Sequence, residues 1–121
     1  MARKDELGRR GEELAARYLI AHGFRVLARN WRCPLGELDV IAERDGLVAV
    51  VEVKTRSSLE YGHPLDAITA QKAARLRRLA SQWCREQVEP VRDLRIDAIA
   101  VLAPAGVADR DVLIEHLTGI C

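Results

Sequence analysis

The amino-acid sequence predicts a mixed α/β domain: a mixed central sheet flanked by helices, in the order αβββαβ with a short edge strand at the end. Three observations carry that expectation. Apolar residues recur at helical spacing in two separate segments. Four other segments alternate apolar and polar residues with the period of a strand. Between two of these stands Asp45-Gly46, a strong short-range hairpin signal.

From Leu7 to about His22, the residues Leu7, Leu14, Ala15, Tyr18 and Leu19 form one helical stripe. Gly23 follows where a helix C-terminus favours glycine. "FRVLARNWR" reads as a first strand, stopped by Pro34 and Gly36. "ELDVIAE" and "LVAVVEVK" are the second and third strands, joined through Arg44, Asp45 and Gly46. The turn-rich "TRSSLEYGHP" leads into one long helix from about Leu65 to Val88, whose stripe includes Ile68, Leu76, Leu79, Ala80 and Trp83. Pro90 closes it. "LRIDAIAVL" is a fourth strand, "APAGVADRD" a turn region and "VLIEHL" the edge strand. No repeat or linker divides the chain, so residues 1–121 read as a single domain.

Composition narrows the class. A 121-residue chain with 49% hydrophobic residues can bury a core, and a net charge of +1 means that any nucleic-acid surface must be local. Cys33, Cys84 and Cys121 are widely spaced with no CxxC pair. That argues against a disulfide framework or zinc cluster and suits a reducing compartment. "MARKDELGRR" is charged throughout, and no apolar run approaches the ~20 residues that span a bilayer. A cytoplasmic protein without a membrane partner is expected. Two Trp, two Tyr and one Phe provide little for a base-stacking platform, which favours reading of backbone and shape.

The hairpin locates the chemistry. If Arg44 lies opposite Leu47, counting back puts Asp39 opposite Glu52 and Glu37 opposite Lys54, all on one face. Leu38, Val40, Ala42, Ala49, Val51 and Val53 then form the apolar face. Two carboxylates about 5 Å apart repel by roughly 3 kcal/mol at an effective dielectric near 20. A shared proton relieves this, and so does a hard divalent cation such as Mg2+ (or Mn2+), which sits on one or two carboxylates. Lys54 could orient or help deprotonate an attacking water and steady negative charge, an arrangement suited to phosphodiester cleavage. The competing reading is a solvent-facing ladder of ion pairs, although Ile41 and Val50 on the same face are apolar. On the first helix, Glu12 flanks the apolar stripe and can look towards the sheet, while Glu13 faces water. Gly8 and Gly11 would let that helix approach another backbone, or a ligand, closely.

At these residues the chain resembles a known family. "GELDVIAERDGLVAVVEVKTR" looks like the core of the PD-(D/E)xK nuclease superfamily, the restriction-endonuclease-like fold. More closely, the chain resembles the bacterial YraN-like family, which is similar to archaeal Holliday-junction resolvases. The likeness runs through "GRRGEELAARYL", "NWRCPLGELDVIA", "VVEVKTRSS", "YGHPLDAIT" with "QKAARLRRLA", and "LRIDAIAV". The resemblance implies a restriction-endonuclease-like core in which Asp39 and Glu52 bind the metal, Lys54 is the catalytic lysine and Glu12 assists the metal site. It places Gln71 where related nucleases carry a polar site residue. Leu38 stands where the superfamily's name has proline, a variable position. The implied activity is metal-dependent hydrolysis of DNA, including branched DNA. Cutting two strands symmetrically would require a homodimer.

Other residues complete the expectations. Arg56, in the loop after Lys54, could touch a phosphate. So could Lys72, Arg75, Arg77 and Arg78, and the group Arg3, Lys4, Arg9, Arg10, Arg25, Arg29 and Arg32; that reading wins only where such residues surround the carboxylates. His22, His63 and His116 lack ligand partners at helical or hairpin spacing, and Asp97 is assigned a structural pairing with Arg95 or another base. The rival function is a non-catalytic module that binds nucleic acid or a protein partner. A glycosidase with paired carboxylates leaves the lysine unexplained.

Overall fold

The computed structural model describes residues 3–60 and 62–121, residues 3 and 4 by their backbone alone. Helix α1 spans Arg3–Ala21. Strands β1 (Arg25–Cys33), β2 (Gly36–Arg44) and β3 (Leu47–Arg56) follow, then helix α2 (Ala70–Arg85) and strands β4 (Asp93–Leu102) and β5 (Leu113–Leu117). The sheet runs in the order β1-β2-β3-β4-β5. Only the β3–β4 pair is parallel, and α2 lies in the connection between these two strands. This is the expected mixed sheet flanked by helices, and the segment "VLIEHL" supplies its edge strand.

Each face of the sheet buries one helix. Leu14, Ala15 and Leu19 of α1 pack on Val40, Ala42, Ala49, Val51, Val53, Ile99 and Val101. Leu76, Leu79, Ala80 and Trp83 of α2 pack on Leu38, Ile41, Val48, Val50 and Ile96. The turn at Asp45 (φ 52°) and Gly46 (φ 84°) holds two successive residues in the left-handed region, as a tight hairpin twisted like its strands requires. Arg44 pairs with Leu47, as the sequence indicates.

Three expectations need correction. The single helix over Leu65–Val88 is a 3-10 turn at Pro64–Ala67 followed by the separate α2. Thr69 interrupts them: its backbone is extended and its side chain accepts the Lys72 N–H, capping α2. Secondly, the β2–β3 ladder ends at Val40–Val51, one pair short of the predicted Asp39–Glu52 match and two rungs further from Glu37–Lys54. Thirdly, Leu38 belongs to the α2 layer with Ile41, whereas Val40 belongs to the α1 layer. Strict alternation would put Leu38 beside Val40.

The cause of the second and third lies on one rung. Trp31 pairs with Leu38 and Arg29 with Val40, which leaves Asn30 facing Asp39 between them. Asn30 has φ 53°, a left-handed conformation that asparagine tolerates better than most residues. Its strand consequently also changes face, with Ala28 and Trp31 both against the α2 layer. Beyond this rung β2 stays with β1 through Cys33–Gly36, whereas β3 stays with β4 through Arg56–Leu102. The two strands part, and the predicted catalytic residues stand at the fork.

Candidate active site

Asp39 occupies the fork. Its Oδ2 accepts the Val53 N–H at 2.8 Å, a bond that replaces the missing ladder contact. Burial first, and the nearby Glu52 charge second, raise its carboxyl from 3.8 to about 7, against the Val53 bond that lowers it. Glu52 is buried on β3 at 7% exposure. Its Oε1 receives two ammonium groups, Lys54 Nζ at 3.4 Å and Lys72 Nζ at 3.3 Å. Lys54 is lowered from its ordinary value, chiefly by burial and then by the neighbouring Lys72. The sequence thus brings two acids and two lysines together, one lysine from β3 and the other from α2.

Glu12 reaches the same region from α1. Its carboxyl is raised by burial and by Glu37, with a smaller contribution from Glu52, and lowered by Arg29 and the Asn30 side-chain amide. Glu13 turns away towards Arg29 and Arg17, at 2.8 and 3.2 Å. The close approach expected of the helix glycines holds at Gly11 alone: a Cβ there would overlap the Thr55 hydroxyl, while at Gly8 it would meet nothing within 4 Å. Gly11 therefore seats α1 on the end of β3 next to Lys54.

The donor set suits a hard cation. Among the described residues, the hydrogen bonds and ion pairs engage one oxygen of Asp39 and one of Glu52, leaving Oδ1 and Oε2 for a ligand. Among the same residues no group of three His, Cys, Asp or Glu side chains is placed to hold a metal. Two carboxylate oxygens with water in the remaining positions is a coordination that magnesium accepts.

Residues 11–101 match the family described as "Uncharacterised protein family UPF0102". A UPF0102 protein of Leifsonia xyli subsp. xyli (strain CTCB07) is 54% identical over 120 residues, covering 99% of each chain. The chain belongs to the UPF0102 family. UPF0102 proteins of Arthrobacter sp. (strain FB24) and Beutenbergia cavernae are 49% and 50% identical over 120 residues, also covering 99% of each chain. This is the YraN-like family expected from the sequence. In the UPF0102 chain, the matched span holds Glu12, Asp39, Glu52, Lys54 and Lys72 and ends before His116.

The remaining expectations fall as follows in the UPF0102 structure. Lys72, expected only at phosphates, is bound to Glu52, whereas Gln71 beside it is exposed on the wall of an open groove. Arg56 lies just beyond Lys54, and its Nη1 donates to the Thr55 carbonyl at 3.1 Å. Glu37 pairs with Arg32, not with Lys54. The phosphate expectation for Arg3 and Lys4 lies outside the described side chains. Sequence reasoning missed Asn30, for which its tolerance of the left-handed region was the available signal. It also missed His116: Asp97, fully buried, accepts from Arg95 (2.8 and 3.0 Å), pairs with His116 Nε2 (2.9 Å) and accepts the Gly119 N–H (3.0 Å). Asp97 thus has the structural pairing expected of it. His63 caps the 3-10 turn through Nδ1. No helix among the described residues is long and apolar enough to cross a membrane.

Proposed function

We propose that this chain is a metal-dependent endonuclease with a restriction-endonuclease-like core, hydrolysing DNA phosphodiester bonds, with branched DNA among its substrates. The observation that carries the reading is the half-buried Asp39 beside the buried Glu52 at the parting of β2 and β3, with Lys54 on the Glu52 carboxylate. Two acids held side by side at the fork, one buried and the other raised to about 7, are a poor arrangement for stability alone. Asp39 and Glu52 would hold Mg2+ or Mn2+, with Glu12 assisting from α1. The cation would supply Lewis-acid neutralisation of the phosphoryl oxygens and activation of water. Lys54, partly buried, would orient the attacking water and stabilise charge on the scissile phosphate. Lys72 shares the Glu52 carboxylate and keeps it from turning away.

The test is a panel of linear duplex, single-stranded, flap and four-way DNA, incubated with magnesium or manganese. Cleavage of at least one substrate by the wild type, lost in Lys54→Ala, is expected; cutting that persists in the variant would sink the assignment. A second reading, a non-catalytic module, draws on the two lysines that already neutralise Glu52 without a metal. It expects binding without turnover and no functional loss in Glu52→Gln.

A further inference from the structure

Helix α2 carries five cationic residues, Lys72, Arg75, Arg77, Arg78 and Arg85, and no carboxylate. The whole chain is only +1, from 19 basic and 18 acidic residues, so the remainder is net −4. The arginines elsewhere that were candidates for phosphate contact are largely spent. Arg10 pairs with Asp109, Arg25 with Glu43, Arg29 with Glu13 and Arg32 with Glu37, and Arg17, which was not among those candidates, also pairs with Asp109. Among the described residues, Arg75, Arg77, Arg78 and Arg85 have no carboxylate within ion-pair distance. All four are exposed.

These arginines are continuous with the site. Lys72, on the first turn of α2, is bound to Glu52. From it an open groove of about 320 Å³ runs past Gln71, Arg75 and Arg78. A second groove, of about 480 Å³, begins at the same Arg78 and continues along Arg77, Ser81 and Arg85. The distance from Lys72 to Arg85 along the helix axis is about 20 Å, roughly half a turn of B-form duplex. No aromatic side chain lines either groove, so there is nothing on which an unpaired base would stack.

We propose that the exposed face of α2 is a phosphate-backbone track that takes one flank of a nucleic-acid duplex and leads it to the acid pair. The proposal rests on the nuclease reading for what happens at the end of the track, but not for binding itself. It fixes the side from which substrate arrives: the α2 layer, while the ion-paired arginines of α1 and β1 stay with their carboxylates. Recognition is by charge and spacing of phosphates, so affinity depends steeply on salt and little on sequence.

The test is fluorescence anisotropy with a labelled 20-base-pair DNA duplex and the matching single strand, without divalent cation, over a salt series. The wild type should bind the duplex more tightly than the strand. Arg75→Ala with Arg78→Ala should reduce the slope of log K against log salt by about 2. The lysine pair Arg75→Lys with Arg78→Lys should retain the slope, and Arg17→Ala with Arg25→Ala should leave it unchanged. An unchanged slope in the Arg75/Arg78 alanine variant, equal loss in the Arg17/Arg25 control, tighter binding of the single strand, or no duplex binding each overturns the track. Cleavage is scored separately: binding that depends on α2 without cutting in magnesium or manganese defeats the nuclease reading alone. Cutting that ignores Arg75 and Arg78 defeats the track alone.

Discussion

The Asp39 carboxylate takes the place of a backbone carbonyl. Its Oδ2 holds the Val53 N–H at 2.8 Å where β2 leaves β3, so the polar group freed by the fork is satisfied by the residue that uses the fork. The bond immobilises the carboxyl beside Glu52; burial and then the Glu52 charge raise it to about 7, against the lowering that the bond itself exerts.

The raised carboxyl sets a direction for stability against pH. In metal-free buffer the folded protein keeps a proton on Asp39 that the unfolded chain releases near 3.8, so stability falls as pH rises from about 4 to 7. Asp39→Asn retains an acceptor for Val53 and removes the titration. Its melting temperature should be flatter across this range and exceed that of the wild type near pH 8. Equal slopes for the two proteins would refute the shift.

A divalent cation should act against that ranking. Magnesium or manganese at a hundred times its dissociation constant stabilises a folded protein by about 2.7 kcal/mol through mass action. Near pH 8 the wild type should gain several degrees of melting temperature on adding the cation. Asp39→Asn and Glu52→Gln should gain little; equal gains in all three would place the cation elsewhere.

Two glycines on one helix should respond with opposite signs. Gly11→Ala drives a methyl into Thr55, whose Cβ would lie 2.8 Å away, and should cost about 1–3 kcal/mol of unfolding free energy. Gly8→Ala meets nothing within 4 Å and should stabilise by about 0.5–1 kcal/mol through helix propensity. Urea denaturation of both variants separates the two effects. A Gly11→Ala protein as stable as the wild type would remove the close approach of α1 to β3.

Asp97 predicts an acid limb. Burial by itself would raise this carboxyl, but His116, Arg95 and the Gly119 N–H outweigh it and lower it from the ordinary 3.8. Its contribution is therefore complete above about pH 4 and lost as pH falls through the lowered value. Asp97→Asn should cost about 3 kcal/mol near neutrality, because it leaves a buried pair broken. Chemical denaturation at about pH 7 and pH 3 should show the deficit shrinking in acid. A deficit of the same size at both values would contradict the pairing.

Much of this was legible in the residues. The Asp45-Gly46 turn set the register of Arg44 against Leu47, and period-2 alternation put Glu52 and Lys54 on one face of β3. The fork was not legible, because alternation presumes that a strand keeps its twist; Asn30 in the left-handed region and the Asp39–Val53 bond break it. The break before α2 was obscured by an apolar stripe that continues through Ile68, although Thr69 carried the capping signal. The inward turn of Lys72 depends on how α2 docks, a tertiary relation that the local pattern of "AQKAAR" does not contain.

The parallel pairing of β3 with β4 also divides the site between contacts of different sequence range. Asp39, Glu52 and Lys54 lie within one local hairpin, whereas Leu47 meets Asp93, and Glu52 meets Lys72 of α2, across a longer stretch of chain. Closing a long loop costs more entropy than closing a short one. The acid pair is thus supplied by one hairpin and the second lysine by the crossover helix, so the charge balance at Glu52 is complete only where local and crossover contacts meet.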